Sequence, residues 1–150
     1  MYYSDLVYKA SKISFEAHKN DVDKGGYPYV YHPAYLAYQM DDEITTCLAL
    51  LHDVVEDHGD EYTFEDLAQI GFYEEIIEAL KVLTHAKDEP YEDYIDRVKT
   101  NKYAIKVKIA DLKHNLMSSR IGGQKPKKND KYLAALEYLE GVQAEMGMTD

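Results

Sequence analysis

Apolar residues recur along the chain at intervals of three and four positions, as they do on the buried face of a helix. The alternation of apolar and polar positions that marks a strand never persists. We therefore predict an all-α fold, a compact orthogonal helical bundle of about eight helices with no sheet. The predicted helices cover residues 4–19, 34–40, 43–56, 63–71, 72–84, 91–100, 102–118 and 129–146.

Short polar segments and helix-capping residues separate these helices. Residues 23–28 contain two glycines and a proline and predict a turn. Pro33 suits the first turn of the second helix, where its missing N–H needs no partner. Thr63 followed by Asp66 predicts a capping box, and Asn101 is placed to cap the helix that follows it.

Length and composition favour one globular domain spanning residues 1–150. Of the 150 residues, 45% are hydrophobic and 30% are charged. The single cysteine, Cys47, lies in an apolar run, so we predict a buried packing role, no internal disulfide and a cytoplasmic location. No apolar run reaches the roughly 20 residues of a membrane span, and no signal peptide is visible. A net charge of −11 argues against nucleic acid as a partner.

An ionisable pair interrupts the most apolar predicted helix. His52 and Asp53 follow two leucines and precede two valines, although burying unpaired charge is costly. Such a pair alone is usually a satisfied core histidine beside a capping aspartate. Here Glu56 and Asp57 follow one turn later, so the four side chains span an arc of roughly 140° and point toward one pocket. A bound cation would remove the repulsion among three carboxylates.

Two further segments contain polar residues of the same kind. Asp111 lies among apolar residues of another helix, with Asn115 one turn later. His32 lies just before the predicted start of the second helix. Two imidazoles and two carboxylates suit a divalent ion of the manganese or iron type, and ligand type alone leaves zinc open. The remaining histidines are expected to have roles other than metal binding: His18, His58, His85 and His114.

These motifs resemble the HD-domain phosphohydrolases, and more narrowly the hydrolase domain of RelA/SpoT-type enzymes and their small stand-alone relatives. The likeness runs over roughly residues 10 to 120 and includes residues 17–18 and 78–84. Each short piece is weak by itself, whereas the order and spacing of all of them are specific. The main matching segments are residues 29–33, 51–57 and 108–115.

The resemblance implies an all-α HD-type domain that binds one divalent metal, usually Mn²⁺, with Fe, Co, Ni or Zn as the other candidates. It implies that Glu56 and Asp57 activate water and handle protons, and that Asn115 lies close to the substrate. The reaction implied is removal of pyrophosphate from the 3′ position of guanosine tetra- or pentaphosphate, with no synthetase domain expected. The implied metal ligands are His32, His52, Asp53 and Asp111.

The substrate-binding residues are expected to combine charge with aromatic surface. Lys24 and Asn115 could position phosphate oxygens, Tyr29 could pack on a base, and Arg120 could contact the far end of the substrate. Arg120 begins a basic cluster that is either a solvated loop or a rim facing a polyanion. The other members of the cluster are Lys125, Lys127, Lys128 and Lys131.

The segment before the first motif departs from the family, which usually has a basic cluster there. Residues 20–24 contain one lysine and two aspartates. This leaves open an HD-type nucleotidase, or a hydrolase of another small phosphate ester, as an alternative. A non-catalytic ligand-sensing domain is a third alternative, which the intact ligand set disfavours. A homodimer is compatible with the sequence, although no heptad or small-residue motif indicates one.

Overall fold

The computed structural model describes residues 1–117 and 128–147, which form nine helices. The all-α prediction is confirmed, and an isolated antiparallel bridge between Val22 and Pro28 is the only strand-like pairing in these residues. No helix among them is long and apolar enough to cross a membrane. The helices are α1 (Asp5–His18), α2 (Tyr31–Tyr38), α3 (Glu43–Leu51), α4 (Val54–His58), α5 (Phe64–Ile70), α6 (Glu74–Leu83), α7 (Tyr91–Val98), α8 (Lys102–Asn115) and α9 (Asn129–Glu145).

The centre of the bundle is α3, which packs against α1, α2, α6 and α8. Every residue from Thr45 to Leu51 is buried, which explains why this stretch is apolar on all sides. Leu48 and Leu51 are fully buried, and each contributes about 1.5–3 kcal/mol through removal of its surface from water. Because α3 runs through the core, the residue after it, His52, enters the interior.

The continuous helix predicted over residues 43–56 is wrong, since the structure divides it at His52 and Asp53. Nδ1 of His52 lies 2.7 Å from the carbonyl oxygen of Ala49, so a side-chain N–H satisfies an acceptor of the last turn of α3. Asp53, with φ −109° and ψ 1°, leaves helical geometry before α4 begins at Val54. This division accounts for nine helices where the sequence predicted about eight.

The second helix starts earlier than predicted, at Tyr31. Pro33 lies within its first turn, where the absent N–H costs no hydrogen bond. His32 therefore belongs to the helix and is buried by it, rather than lying before its start.

Side-chain caps begin four of the helices, and two of these caps, at Thr63 and Asn101, were predicted from the sequence. The capping box of α5 is confirmed, with Thr63 Oγ1 accepting from the Asp66 amide at 3.1 Å and Asp66 Oδ2 accepting from the Thr63 amide at 3.0 Å. Gly71 ends α5 at φ +119°, which side chains other than glycine rarely adopt. Each cap contributes about 1 kcal/mol. The other side-chain N-caps are Ser4, Asp42 and Asn101.

Candidate functional site

Four predicted ligands meet in the interior, from the first turn of α2, the junction of α3 and α4, and the middle of α8. His32 Nε2 lies 2.8 Å from Asp111 Oδ1. His52 Nε2 lies 3.0 Å from Asp53 Oδ2 and 3.6 Å from Asp111 Oδ1. His32, His52 and Asp111 are 2–5% exposed, so these polar groups are held away from water. Two imidazoles and two carboxylates thus converge in a buried space.

This arrangement can hold a divalent metal ion. Ligand atoms of His32, His52 and Asp53 lie within 4.8 Å of one another. Nδ1 of His52 faces the Ala49 carbonyl and donates to it, so in the neutral ring the lone pair lies on Nε2. That buried Nε2 faces the carboxylates of Asp53 and Asp111, 3.0 and 3.6 Å away. A bound cation would compensate the negative charge of these two carboxylates.

Two neighbours on α8 hold the carboxylate of Asp111. Lys108 Nζ lies 2.7 Å from Asp111 Oδ2, and Asn115 Nδ2 donates to Asp111 Oδ1 at 3.1 Å. Burial alone would raise the pKa of Asp111, but the Lys108 ammonium and the hydrogen bond to His32 outweigh it and hold that pKa well below its usual range. Lys108 was missed in the sequence, although its position three residues before Asp111 places both on one helix face.

His114 contacts His32 and supports its position. The two Nδ1 atoms lie 2.7 Å apart, and the rings stack with centroids 4.9 Å apart. The ring of His114 also stacks on that of Tyr35, with ring centroids 4.1 Å apart. His114 was expected to have a role other than metal binding, and in the structure it orients His32 through this contact.

Tyr29 was expected to pack on a base, and in the structure it hydrogen-bonds to a proposed metal ligand. Its hydroxyl donates a hydrogen bond to Asp53 Oδ2. Burial and the charge of Asp53 raise the pKa of Tyr29, so the hydroxyl keeps its proton. The centroid of its ring lies 4.9 Å from that of the His18 ring and 5.5 Å from that of the His32 ring.

Of the two predicted catalytic carboxylates, only Glu56 lines the cleft that holds the proposed metal ligands. It lines that cleft with His52 and Asp53, and its Oε1 accepts the His85 amide at 2.8 Å. Asp57 lines a neighbouring pocket that it shares with Glu56, so the expectation that all four side chains share one space is corrected for Asp57. Burial, then the charge of Asp53, raises the pKa of Glu56. Burial, then the charges of Asp53 and Glu56, raises the pKa of Asp57 to about 6.

The cleft has a volume of about 230 Å³ and is lined by two chemically unlike groups of residues. The first group, the metal wall, consists of His52, Asp53 and Asp111 with their supporting residues, and His32 contacts it through Asp111. The second group, the far wall, is basic and aromatic. The sequence offered its two lysines as part of a basic cluster but missed its aromatic members, which are distant along the chain. The far wall is formed by His85, Tyr91, Lys128, Lys131 and Tyr132.

The predicted substrate-binding residues are divided by the structure. Asn115 and Tyr29 line the cleft. Lys24 is exposed on the loop after α1 and does not line it. Arg120 lies outside the described residues, as do Lys125 and Lys127 of the basic cluster. The remaining two lysines of that cluster do reach the far wall.

His58, which was expected to have a role other than metal binding, ends α4 and is partly buried. It shares Asp21 with the fully buried His18 at the end of α1. Sequence reasoning missed this pairing, because His18 and Asp21 lie nearly forty positions before His58 and carry no joint motif.

Comparison with known proteins extends the resemblance seen in the motifs, although no family model matches the chain. A probable GTP pyrophosphokinase of Mycobacterium leprae is 28% identical over 77% of this chain. A guanosine-3′,5′-bis(diphosphate) 3′-pyrophosphohydrolase of Escherichia coli O157:H7 is 29% identical over 88% of it. The chain spans only 16% and 20% of the length of these two relatives.

A solved structure matches the whole chain. It comes from work on a metazoan SpoT ortholog said to hydrolyse ppGpp, and it aligns with a TM-score of 0.72 and 20% identity over 99% of both chains. This match confirms the predicted fold. Together with the two relatives, it confirms the resemblance to RelA/SpoT-type hydrolases that the motifs indicated.

Proposed function

We propose that this protein is a metal-dependent phosphohydrolase that removes pyrophosphate from the 3′ position of guanosine tetra- or pentaphosphate. The observation that carries the proposal is the buried Nε2 of His52, on which the carboxylates of Asp53 and Asp111 converge. The relative named as a 3′-pyrophosphohydrolase supports the choice of reaction.

The proposed metal ligands are the four side chains of the buried cluster, with Mn²⁺ as the expected ion. Carboxylate and imidazole donors suit Mn²⁺, and they also accept Fe, Co, Ni or Zn. The bound ion supplies Lewis-acid polarisation of a phosphoryl oxygen. The ligand set is His32, His52, Asp53 and Asp111.

Glu56 is the proposed general base. The His85 amide fixes its Oε1, which leaves Oε2 able to take a proton from the attacking water. Burial raises the pKa of Glu56 toward neutrality, which strengthens the carboxylate as a base. Asp57, whose pKa is about 6, is placed beside it to pass the proton on to solvent.

The far wall is the proposed binding surface for the nucleotide. Lys128 and Lys131 offer ammonium groups to phosphates in a protein whose overall charge is −11. Tyr91 and Tyr132 offer aromatic faces for the base. Asn115, next to the metal wall, is placed to hold a phosphate oxygen near the reacting atoms.

The test is release of pyrophosphate from guanosine tetraphosphate by purified protein loaded with Mn²⁺. We expect turnover that stops on chelation and returns when Mn²⁺ is added. His52→Gln, which removes this proposed ligand nitrogen, should be inactive while keeping its helical circular dichroism. Wild-type protein that is shown to contain bound Mn²⁺ yet turns over none of a panel of nucleotides would contradict the proposal.

A nucleotidase acting on a 5′-monophosphate is the second candidate. It is favoured by the loop after α1, where Lys24 does not line the cleft and Asp21 and Asp23 stand where the family usually has basic residues. Rates on mono-, di- and 3′,5′-polyphosphates separate the two candidates. The 3′-pyrophosphohydrolase should be at least about ten-fold faster on the last group.

A further inference from the structure

A second group of metal-ligating side chains lies outside the cluster described above. It joins His18 at the end of α1, Asp21 three residues later and His58 at the end of α4. Asp21 Oδ2 lies 3.0 Å from His18 Nδ1 and 2.6 Å from His58 Nε2. One ligand atom from each of the three residues lies within 4.8 Å of the other two. Two imidazole nitrogens therefore converge on a single carboxylate oxygen.

His18 is fully buried at the end of α1, although its imidazole is polar. Its side chain is 0% exposed, and its Nε2 has no hydrogen-bond partner among the described residues. Its ring packs against those of Tyr29 and His58, at centroid distances of 4.9 and 5.2 Å. Burying this imidazole therefore costs stability, and its polar contact in the group is the one that Nδ1 makes with Asp21.

The spacing of the three ligand atoms suits a small divalent ion. Ligands bound to tetrahedral zinc at about 2.0–2.1 Å lie about 3.3 Å from one another. The observed 2.6 and 3.0 Å separations would widen by less than about 1 Å to admit such an ion. Two histidines and one aspartate leave a fourth position for water.

The surroundings favour a cation and give it a route in. Asp21 and His58 line an open pocket together with Glu56 and Asp57, so solvent reaches the group from a side rich in carboxylates. Glu61 Oε1 lies 3.8 Å from Nδ1 of His58.

We propose that His18, Asp21 and His58 form a second divalent-cation site, of the zinc-binding type, distinct from the four-ligand centre. Tyr29 separates the two, with its hydroxyl on Asp53 and its ring against His18. The proposal does not rest on the proposed hydrolysis.

The test is the number of Zn²⁺ ions bound per chain, measured by equilibrium dialysis and elemental analysis at matched free zinc. We expect two for the wild type and one for His52→Gln, which disables the four-ligand centre. We expect one for His58→Gln and none for the double variant. Asp21→Asn, which keeps the side-chain shape, should weaken the second binding event at least ten-fold by calorimetry.

The matched control is Glu61→Gln, which removes a neighbouring charge but no proposed ligand and should still bind two ions. One ion in the wild type would overturn the proposal, as would unchanged binding in both His58→Gln and Asp21→Asn. Equal weakening by Glu61→Gln would also overturn it, because it would show attraction by general negative charge. Circular dichroism identifies any variant that fails to fold, and Asp21→Asn then decides. None of these counts depends on pyrophosphate release, so the two proposals fail separately.

Discussion

The two walls of the cleft are built in opposite ways. On the metal wall the ligands are buried, or half-buried in the case of Asp53, and they are held by the protein, His52 by the Ala49 carbonyl and Asp111 by Lys108 and Asn115. On the far wall the polar groups are ends of long side chains, and Lys131 is exposed with its Nζ 4.2 Å above the ring of Tyr91. A reacting centre needs fixed geometry, whereas a wall that receives a flexible polyanion can adjust.

This contrast leads to different kinetic expectations for the two walls. Changes to the metal wall should remove the metal or the chemical step and therefore lower kcat. Changes to the far wall should weaken substrate binding and raise KM with little effect on kcat. The predictions below follow from that division, and each includes the result that would break it.

The largest effect is expected for Asp53→Asn. The substitution removes a charged ligand while keeping its shape and a partner for the Tyr29 hydroxyl. We expect loss of bound metal and a fall in kcat of about 10⁴-fold or more. Elemental analysis and pyrophosphate release measure the two quantities. Asp60→Asn, an exposed control, should change neither. A metal-free Asp53→Asn variant that is fully active would show that the chemistry does not depend on this wall.

Glu56→Gln should come next and should separate chemistry from metal binding. The amide can still accept the His85 N–H but cannot take a proton, so we expect kcat to fall about 10³-fold with metal content unchanged. The control is Glu78→Gln, whose carboxylate pairs with Lys81 at the surface. If Glu56→Gln also loses its metal, Glu56 is a ligand or a support for one, and the proposed division of roles fails.

The metal wall was predictable from sequence, whereas only the lysines of the far wall were, for a physical reason. His52, Asp53 and Asp111 stand out because each is a charged or polar residue inside an apolar stretch, where burial needs a compensating partner. Lys131 belongs to a basic cluster that is visible in the sequence, but Tyr91 carries no such signal, and the two meet only because α7 packs against α9. Contacts made only by tertiary packing leave no local pattern.

The fold shows the same limit at a finer scale. The helical periodicity located every helix core, because buried positions repeat at helical spacing. It missed the break after α3, which depends on a side chain of His52 turning back to the Ala49 carbonyl. The pairing of Asp21 with His58 was missed likewise, since it depends on how α1 packs against α4.

Lys108→Met should have a smaller effect on the metal wall, through Asp111. The thioether matches the length of the lysine stem but offers no charge, so Asp111 loses its 2.7 Å partner. We expect metal affinity to fall by about 10- to 100-fold, which is the loss typical of residues that support a ligand. Metal titration measures it, with Lys106→Met, which removes the surface pair with Asp41, as control. Equal effects of the two substitutions would show that general charge, rather than this contact, sets the affinity.

Lys131→Ala tests the far wall alone. We expect KM to rise about ten-fold, kcat to stay within about two-fold, and the salt dependence of KM to weaken, because one phosphate contact is lost. Lys99→Ala is the control, since Lys99 also lies over a tyrosine ring but is remote from the cleft. Loss of bound metal in Lys131→Ala would contradict the separation of the two walls.

The smallest effect is expected for Asp57. It lines the neighbouring pocket, but the charges of Asp53 and Glu56 contribute to its raised pKa. In the metal-free protein its pKa is about 6, against 3.8 for the ordinary carboxyl, so the folded state holds the proton more tightly than the unfolded state does. Stability from this group is therefore present below pH 4 and is lost as the pH rises through 6.

Asp57→Asn removes that titration. We expect the variant to be more stable than the wild type at pH 7, by about 1 kcal/mol after allowing for solvent screening, and equally stable near pH 4. Urea unfolding in chelator at pH 4, 5, 6 and 7 measures the difference, with Asp60→Asn as the matched control. A difference that does not change with pH would mean that neither burial nor the charges of Asp53 and Glu56 raise the pKa of Asp57, and it would contradict this prediction.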